Sequence, residues 1–303
     1  MVACAGWAAH APHLPGHVCR RYAAGEAPGR TALMFFGSGH RLDFAVMSEQ
    51  LLRPSERPSW PVGVPPVSLI GGGPGAWDLI TVRGMLRLQA ADVIVADHLG
   101  PTAELEKLVD TTAVEIIDAS KLPYGRQVAQ ERINQYLVDF ARQGKKVARL
   151  KGGDPYVFGR GFEELQALAE AGIDCEVIPG VTSAISVPAA AGVPVTQRGV
   201  VHSFTVVSGH VPPGHPKSLT DFDALAKVGG TISIIMGVKN GPKIAAALLD
   251  AGKPADTPVA IIQEGTTAVQ RSVRCTLGNL GATLAAEEIA PPAVIVIGEV
   301  ASL

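Results

Sequence analysis

The sequence has few cysteines, no long uninterrupted apolar run and no excess of either charge, and each shortage excludes a class of protein. Cys4, Cys19, Cys175 and Cys275 are scattered without a C-x-x-C pair, so no disulfide framework is implied and a reducing, cytoplasmic setting is expected. The longest apolar stretch, around Ala184 to Val195, is broken by Pro188, Gly192 and Pro194 and falls short of a membrane span. The N-terminus lacks a charged segment leading into an apolar core, so no signal peptide is expected. With 26 basic and 28 acidic residues the formal net charge is −2, which leaves no electrostatic footprint for nucleic acid or an anionic membrane. An anionic ligand would have to meet a local basic patch. What the chain does have is apolar mass, with 47% hydrophobic residues and a mean hydropathy of +0.24 over 303 residues. That is ample for a buried core in one large or two modest domains.

Residues 1 to 65 differ from the rest. His10, His13, His17 and Cys19 lie close enough to suggest a metal site. However, Pro12, Pro15 and the lack of a flanking strand or helix pattern leave nothing to hold ligand geometry, so a poorly ordered tail is expected. Ala32 to Phe36 and Phe44 to Leu52 read as a short strand and helix, and the proline-rich Arg53 to Pro66 as a linker. From Val67 the chain alternates short β-branched runs with helical periods. Candidate strands are Val67 to Ile70, Val93 to Ala96, Val114 to Ile117, Val147 to Leu150, Glu176 to Ile178, Phe204 to Val207, Ile232 to Ile235, Val259 to Ile262, Ser272 to Thr276 and Val294 to Ile297. Helical stretches fall between them, as at Leu79 to Ala90, Gln130 to Gln143, Phe162 to Ala171 and Ile244 to Ala251. Such alternation predicts an α/β fold with largely parallel or mixed sheets. The junction between two α/β halves, 66–180 and 181–303, is expected where Pro179-Gly180 runs towards Pro194, with the ligand site in the cleft between them.

The chain is organised around Arg149-Leu-Lys-Gly-Gly-Asp-Pro-Tyr-Val-Phe-Gly-Arg-Gly161, which leaves a strand end and turns before the next helical period. Paired glycines let a backbone approach a ligand with no Cβ in the way, and Asp154 offers an acceptor. Arg149, Lys151 and Arg160 put three cations around the loop, which suits an anionic partner. Read alone, Gly-Gly-Asp-Pro is a tight strand-to-helix turn with Asp154 as a cap. The loop after the first candidate strand contains Gly71-x-Gly73-x-x-Ala76, a formal match to the dinucleotide fingerprint, and Asp97 ends the next strand where a ribose-binding acid would sit. An NAD-dependent oxidoreductase is therefore a rival reading. Against it, Pro74-Gly75 prolongs the loop and the helix is expected to start only after Asp78 as its N-cap, too late for a pyrophosphate cradle. Asp97 is either a strand-end cap or a proton acceptor, and Lys121, read alone, is a solvated surface lysine. In Pro179-Gly-Val-Thr-Ser-Ala184 two hydroxyls serve equally as helix caps or ligand contacts.

Taken together, the thirteen-residue stretch and the Gly-x-Gly-Pro-Gly loop resemble the signature of the uroporphyrinogen-III C-methyltransferases, within the tetrapyrrole methylase superfamily. The resemblance runs from Val67 to Val300. It implies two α/β subdomains, S-adenosylmethionine as co-substrate, no metal, uroporphyrinogen III as substrate, and a homodimer. By the same resemblance, Asp97 is the proton acceptor and Lys121 the donor. Pro74, Gly152, Gly153, Asp154, Val157, Thr182, Ser183, Met236 and Gly265 contact S-adenosylmethionine. Arg198 joins Arg149, Lys151 and Arg160 as the candidate set for the substrate's carboxylates. Two departures stand out: Ser120 and Leu122 flank Lys121 where the family reads Gly-Lys-Arg, and Gln197 stands where histidine is usual. His210 also matches the pattern, with no role beyond turn chemistry. Some relatives carry a preceding dehydrogenase and chelatase domain, for which the leader here is too short and lacks the glycine fingerprint. A methylase of a later corrin intermediate and a non-catalytic binding protein complete the alternatives.

Overall fold

The computed structural model describes residues 57–97, 99–119 and 126–303, with the backbone alone for 126–129. Expectations for residues 1–56 and for Lys121 lie outside the described residues. The first sheet is formed by β1 (Val67–Gly71), β2 (Val93–Ala96), β3 (Glu115–Asp118), β4 (Val147–Lys151) and β5 (Cys175–Ile178). Its order is β3-β2-β4-β1-β5, and every pairing is parallel. Parallel strands need long crossovers, supplied here by α1 (Val82–Ala90), α2 (Arg126–Arg142) and α3 (Gly161–Glu170). Because helices cover both faces, β1, β2 and β4 are buried along their whole length and read as apolar runs instead of alternating.

Each face has its own core. Ile70, Ile94, Ala148 and Leu150 pack with Met85 and Leu88 of α1 and with Leu105 and Leu108. On the opposite face Val67, Leu69, Val93, Val95 and Val147 meet Ile133 and Leu137 of α2 and Leu168 of α3. The alternation of β4 between the two cores fixes which way Arg149 and Lys151 point: towards α2 and α3, on the side of Val147.

The second sheet holds β6 (Phe204–Ser208), β7 (Thr231–Ile235), β8 (Pro258–Gln263), β9 (Arg271–Thr276) and β10 (Ala293–Ile297), in the order β6-β7-β10-β8-β9. Only β6 and β7 run parallel; β10 is antiparallel to both β7 and β8, and β9 to β8. One face packs on α5 (Phe222–Lys227), α6 (Gly241–Asp250) and α7 (Leu280–Ala286). The other packs on α4 (Ser183–Ala190), whose Ala184 and Val187 meet Ile235, Ile262 and Val294. The Ser233 hydroxyl donates to the Ala184 carbonyl at 2.9 Å and fixes α4 to β7.

Two expectations are corrected. Asp78 does not cap α1: it lies in a 3₁₀ turn, Trp77–Leu79, and the cap is Thr81, whose hydroxyl accepts from Gly84 N. The extra turn delays the helix by three residues. The last part of the proline-rich segment is also not a loose linker. Arg57 Nη2 donates to Asp92 Oδ1 at 2.7 Å and to the Ala90 carbonyl at 3.1 Å. The Trp60 ring lies under Arg87, and Val147 N donates to the Pro66 carbonyl at 2.8 Å. Among the described residues no helix is long and apolar enough to cross a membrane.

The cap assignment is testable by substitution. Thr81→Ala is expected to cost about 1 kcal/mol in urea unfolding, the usual worth of an N-cap hydroxyl, while Asp78→Ala stays within about 0.5 kcal/mol of the parent. The reverse order would return the cap to Asp78.

Candidate active site

The carboxyl ends of β1, β4 and β5 converge at a point where only glycine fits. A Cβ on Gly71 would lie 2.4 Å from Gly180 N, and one on Gly180 would lie 2.2 Å from the Gly153 carbonyl oxygen. The loops after β1 and β4 are stitched by Gly72 N to Lys151 O (2.8 Å), Gly153 N to Gly73 O (2.7 Å) and Gly73 N to Gly153 O (3.2 Å). Asp154 latches this junction: Oδ2 accepts from Gly180 N at 3.0 Å and Oδ1 from Tyr156 N at 2.8 Å. Its side chain is thus spent inside the protein, and its expected ligand contact falls to the loop it holds. Gly152, Gly153 and Val157 lie in that same half-buried loop, with Pro74 opposite in the β1 loop.

The second half closes on this floor. Ala76 N donates to Thr266 Oγ1 at 3.1 Å, and a Cβ on Gly75 would come within 3.3 Å of Gly265 O. Gly265 backs onto α4, where a Cβ would lie 2.4 Å from Val187 Cγ1. Thr182 is the N-cap of α4 and Ser183 its first residue, so both hydroxyl residues sit at a helix start next to Gly180. Met236 follows β7 with φ +54° and is half exposed. Phe158, Arg160, Glu264 and Thr266 are also left-handed, at φ values of 55°, 59°, 52° and 71°. Left-handed side-chain-bearing residues cost of order 1 kcal/mol each and gather where backbone shape serves a ligand.

A buried ionic cluster lies beneath the loops. Asp97 follows β2, its N–H held by Leu150 O at 3.0 Å. Asp97 Oδ1 receives Arg149 Nη2 at 2.5 Å, and Oδ2 stands 3.9 Å from Lys151 Nζ. Behind them Glu164 of α3 receives Arg149 Nε at 3.1 Å, Lys151 Nζ at 2.9 Å and Gln130 Nε2 at 3.0 Å, all on Oε1. Arg149, Lys151 and Glu164 are 1%, 2% and 0% exposed, whereas the Asp97 side chain is 31% exposed. Burial lowers the Lys151 ammonium below its ordinary value, reinforced by the Arg149 guanidinium and opposed by Glu164 and Asp97. For Arg149, burial pulls downward but the two carboxylates outweigh it and hold it above its ordinary value. The expectation that Arg149 and Lys151 bind substrate carboxylates is therefore corrected: both are buried on the face of β4 that looks at helices, Arg149 donating to Glu164, Asp97 and the Val95 and Leu150 carbonyls and Lys151 to Glu164.

Arg160 pairs with Glu163 at 2.8 and 2.6 Å but keeps an exposed guanidinium, and Arg198 is exposed in the turn closed by Gln197 and Val201. Neither joins the Asp97 cluster. A cavity of about 460 Å³ lies between Phe158 and the 205–228 segment, lined by Thr205, Ser208, Lys217 and Thr220 among others. Sequence reasoning missed Lys217, Glu164, Gln130 and Thr266. Glu164 alone left a readable signal, an acid on the apolar stripe of α3 between Gly161 and Leu168. Among the described residues no group of three or more His, Cys, Asp or Glu side chains is placed to hold a metal. The first helix after the glycine loop starts at Val82, so its amides do not face Gly71 to Gly75 as a dinucleotide pyrophosphate requires.

A parallel sheet with glycine loops packed at its carboxyl edge, followed by a mixed sheet with a strained rim, defines an α/β protein of two sheets, of the class that carries its chemistry at strand ends. Residues 66–281 match the model of the Tetrapyrrole (Corrin/Porphyrin) Methylases, and the chain belongs to that family. It is 46% identical over 234 residues to a uroporphyrinogen-III C-methyltransferase of Priestia megaterium, spanning 77% of this chain and 97% of that protein. It is 44% identical over 237 residues to an S-adenosyl-L-methionine-dependent uroporphyrinogen III methyltransferase of Methanosarcina barkeri, 78% of this chain and 92% of that one. The crystal structure of the uroporphyrin-III C-methyl transferase of Thermus thermophilus with S-adenyl homocysteine aligns with a TM-score of 0.66 at 35% identity, over 78% of this chain and 98% of that chain.

The glycine junction makes a sharp prediction. Gly180→Ala is expected to destabilise the protein by about 2 kcal/mol or more in denaturant unfolding, because its methyl meets backbone atoms that cannot rotate away. Gly229→Ala, with open space around its Cβ position, is the matched control and is expected to be near neutral.

Proposed function

We propose that this chain is an S-adenosylmethionine-dependent C-methyltransferase that converts uroporphyrinogen III to precorrin-2 by two successive methylations, in the branch towards sirohaem and cobalamin. The observation that carries the reading is the junction of Gly71, Gly153 and Gly180 with Asp97 beside it, in a chain that spans nearly the whole length of methyltransferase relatives. The residues fit a bound S-adenosylmethionine: the Gly71–Gly180 junction packs the loops backbone to backbone, Gly153 above it offers backbone with no side chain, and an exposed Met236 and the Thr182–Ser183 helix start complete the set. When bound, that molecule supplies a sulfonium methyl to an electron-rich pyrrole carbon, the new C–C bond forming as the C–S bond breaks.

The protein's own task is positional. Gly152, Gly153, Val157 and Pro74 offer close backbone and apolar contact, and Gly265 and Met236 close the far side, holding the reactants in line and away from water. Alkylation leaves the macrocycle with a proton to lose, and Asp97, partly exposed and held by Arg149, is the acceptor. Lys121 is carried as the donor on resemblance alone. Arg160, Arg198 and Lys217 are the exposed cations that remain for the substrate's carboxylates, in place of Arg149 and Lys151. We assign the halves 66–180 and 181–303 as the two subdomains of this site, and a cytoplasmic homodimer as the working form.

Anaerobic incubation with uroporphyrinogen III and methyl-labelled S-adenosylmethionine tests the reading. Two methyl groups are expected on the tetrapyrrole by mass, with Asp97→Asn slowing kcat by about 100-fold or more while S-adenosylmethionine binding persists. Binding of S-adenosylmethionine with no transfer to uroporphyrinogen III would move the assignment to a later corrin intermediate. A melting temperature raised by NAD and not by S-adenosylmethionine would overturn the methylase reading.

A further inference from the structure

We infer that Glu164 is a positioning residue for methyl transfer, acting through Arg149 and Lys151 to hold Asp97 as a proton acceptor in a charge-balanced site. The inference rests on the methylase reading above. One oxygen, Glu164 Oε1, collects Arg149 Nε, Lys151 Nζ and Gln130 Nε2, and the two cations pass their remaining reach to opposite oxygens of Asp97. Arg149 has no freedom to turn: Nη1 donates to the Val95 and Leu150 carbonyls at 3.3 and 3.1 Å, so its plane runs from Glu164 on one edge to Asp97 on the other. Gln130, which also donates to Asn134 Oδ1 at 3.1 Å, fixes the carboxylate from α2. The groups facing Lys151 are thus Arg149 on its own strand, Glu164 from α3 and Asp97 from the end of β2.

Stability does not account for this arrangement. The same face of the sheet is otherwise aliphatic, and buried ion networks are commonly matched or bettered by apolar side chains of similar volume. Glu164 Oε2 is buried with no hydrogen-bond partner among the described residues, a cost that an apolar residue would avoid. The member that reaches solvent is Asp97, at the mouth of the glycine loops. Two cations and two carboxylates balance; without Glu164, Arg149 Nε and Lys151 Nζ would lose the oxygen that anchors them and two buried positive charges would face Asp97 alone. A buried carboxylate behind the cations lets Asp97 be fixed in one geometry by the charge-assisted Arg149 bond, with Lys151 Nζ 3.9 Å from its other oxygen, in a site of balanced charge.

The test uses the isosteric variant Glu164→Gln in the full chain. Expected are a kcat lowered by about tenfold, a fraction of what a positioned proton acceptor contributes, and a KM for S-adenosylmethionine within about twofold of the parent. The Lys151 side-chain carbon resonance, followed by NMR in lysine-labelled protein, is expected to titrate at lower pH than in the parent, since the Glu164 carboxylate that favours the ammonium is gone. The double variant Lys151→Met/Glu164→Gln restores balance and is expected to fold and regain most of the lost kcat; should the single variant fail to fold, a double variant within about threefold of the parent carries the inference. An unchanged kcat or an unmoved Lys151 titration in Glu164→Gln overturns it, as does a folded double variant that is inactive. A parent protein that transfers no methyl group overturns the methylase reading and this assignment together, whereas an active parent with an indifferent Glu164→Gln overturns this assignment alone.

Discussion

The loops after β1 and β5 can approach the β4 loop this closely only if the residues at the contact carry no Cβ. Gly71 and Gly180 satisfy that condition, each with backbone atoms where a Cβ would clash, and Gly153, at φ +66°, turns the β4 loop so that its carbonyl lies against Gly180. The strand order makes the condition necessary: β4 enters between β1 and β2, so loops from strands distant in sequence reach the same edge of one sheet. Asp154 then ties the β4 loop to Gly180, which fixes the height at which Gly152 and Gly153 are presented. The placement of Asp97, one strand away across β4, follows from the same order, and its N–H is held by the β4 residue Leu150.

β4 carries the second constraint. A strand buried on both faces normally excludes charge, yet Arg149 and Lys151 occupy two of its five positions. They are tolerated because their partners come from both sides, Glu164 from a helix behind and Asp97 from the neighbouring strand end in front. Such charges are tolerated in a core only where opposite charges and hydrogen bonds offset their desolvation. The cluster therefore ties the packing of α3 on the sheet to the orientation of the group nearest the cradle, which is how a helix remote from the ligand can influence chemistry.

Much of the fold was legible in the sequence, and the exceptions have physical reasons. All ten strand segments anticipated from Val67 onward form, because β-branched runs bounded by glycine and proline have few other uses. The antiparallel pairing of β8 and β9 was also within reach: residues 264–270 are too few for a parallel crossover. Helix starts were harder, since Asp78 and Thr81 are both competent caps and the Trp77–Leu79 turn that decides between them is a packing outcome. The site was legible in its glycines but not in its cations. Arg149 and Lys151 adjoin a binding loop in sequence, yet their period-two relation to Val147 turns them inward, and that inference requires knowing which face of β4 meets α2 and α3. The contact of Ala76 with Thr266 spans 190 residues and has no local signature at all.

The strained rim shows how the second half serves the first. Met236 is left-handed and exposed, but the residues around it are not free: Ile235 is packed against α4, and a Cβ on Gly209 would lie 2.4 Å from Gly237 Cα. Glu264 N is held by Pro292 O at 3.0 Å, and Thr266 N by Gln270 Oε1 at 2.7 Å. Left-handed backbone at these positions persists because strands and hydrogen bonds on both sides leave no alternative. The cost is met during folding, so under the proposed function a co-substrate would meet a rim whose shape is already set. For a transfer that depends on two reacting atoms lying in line, order established before binding shortens the search for that geometry and leaves more of the binding energy to hold it.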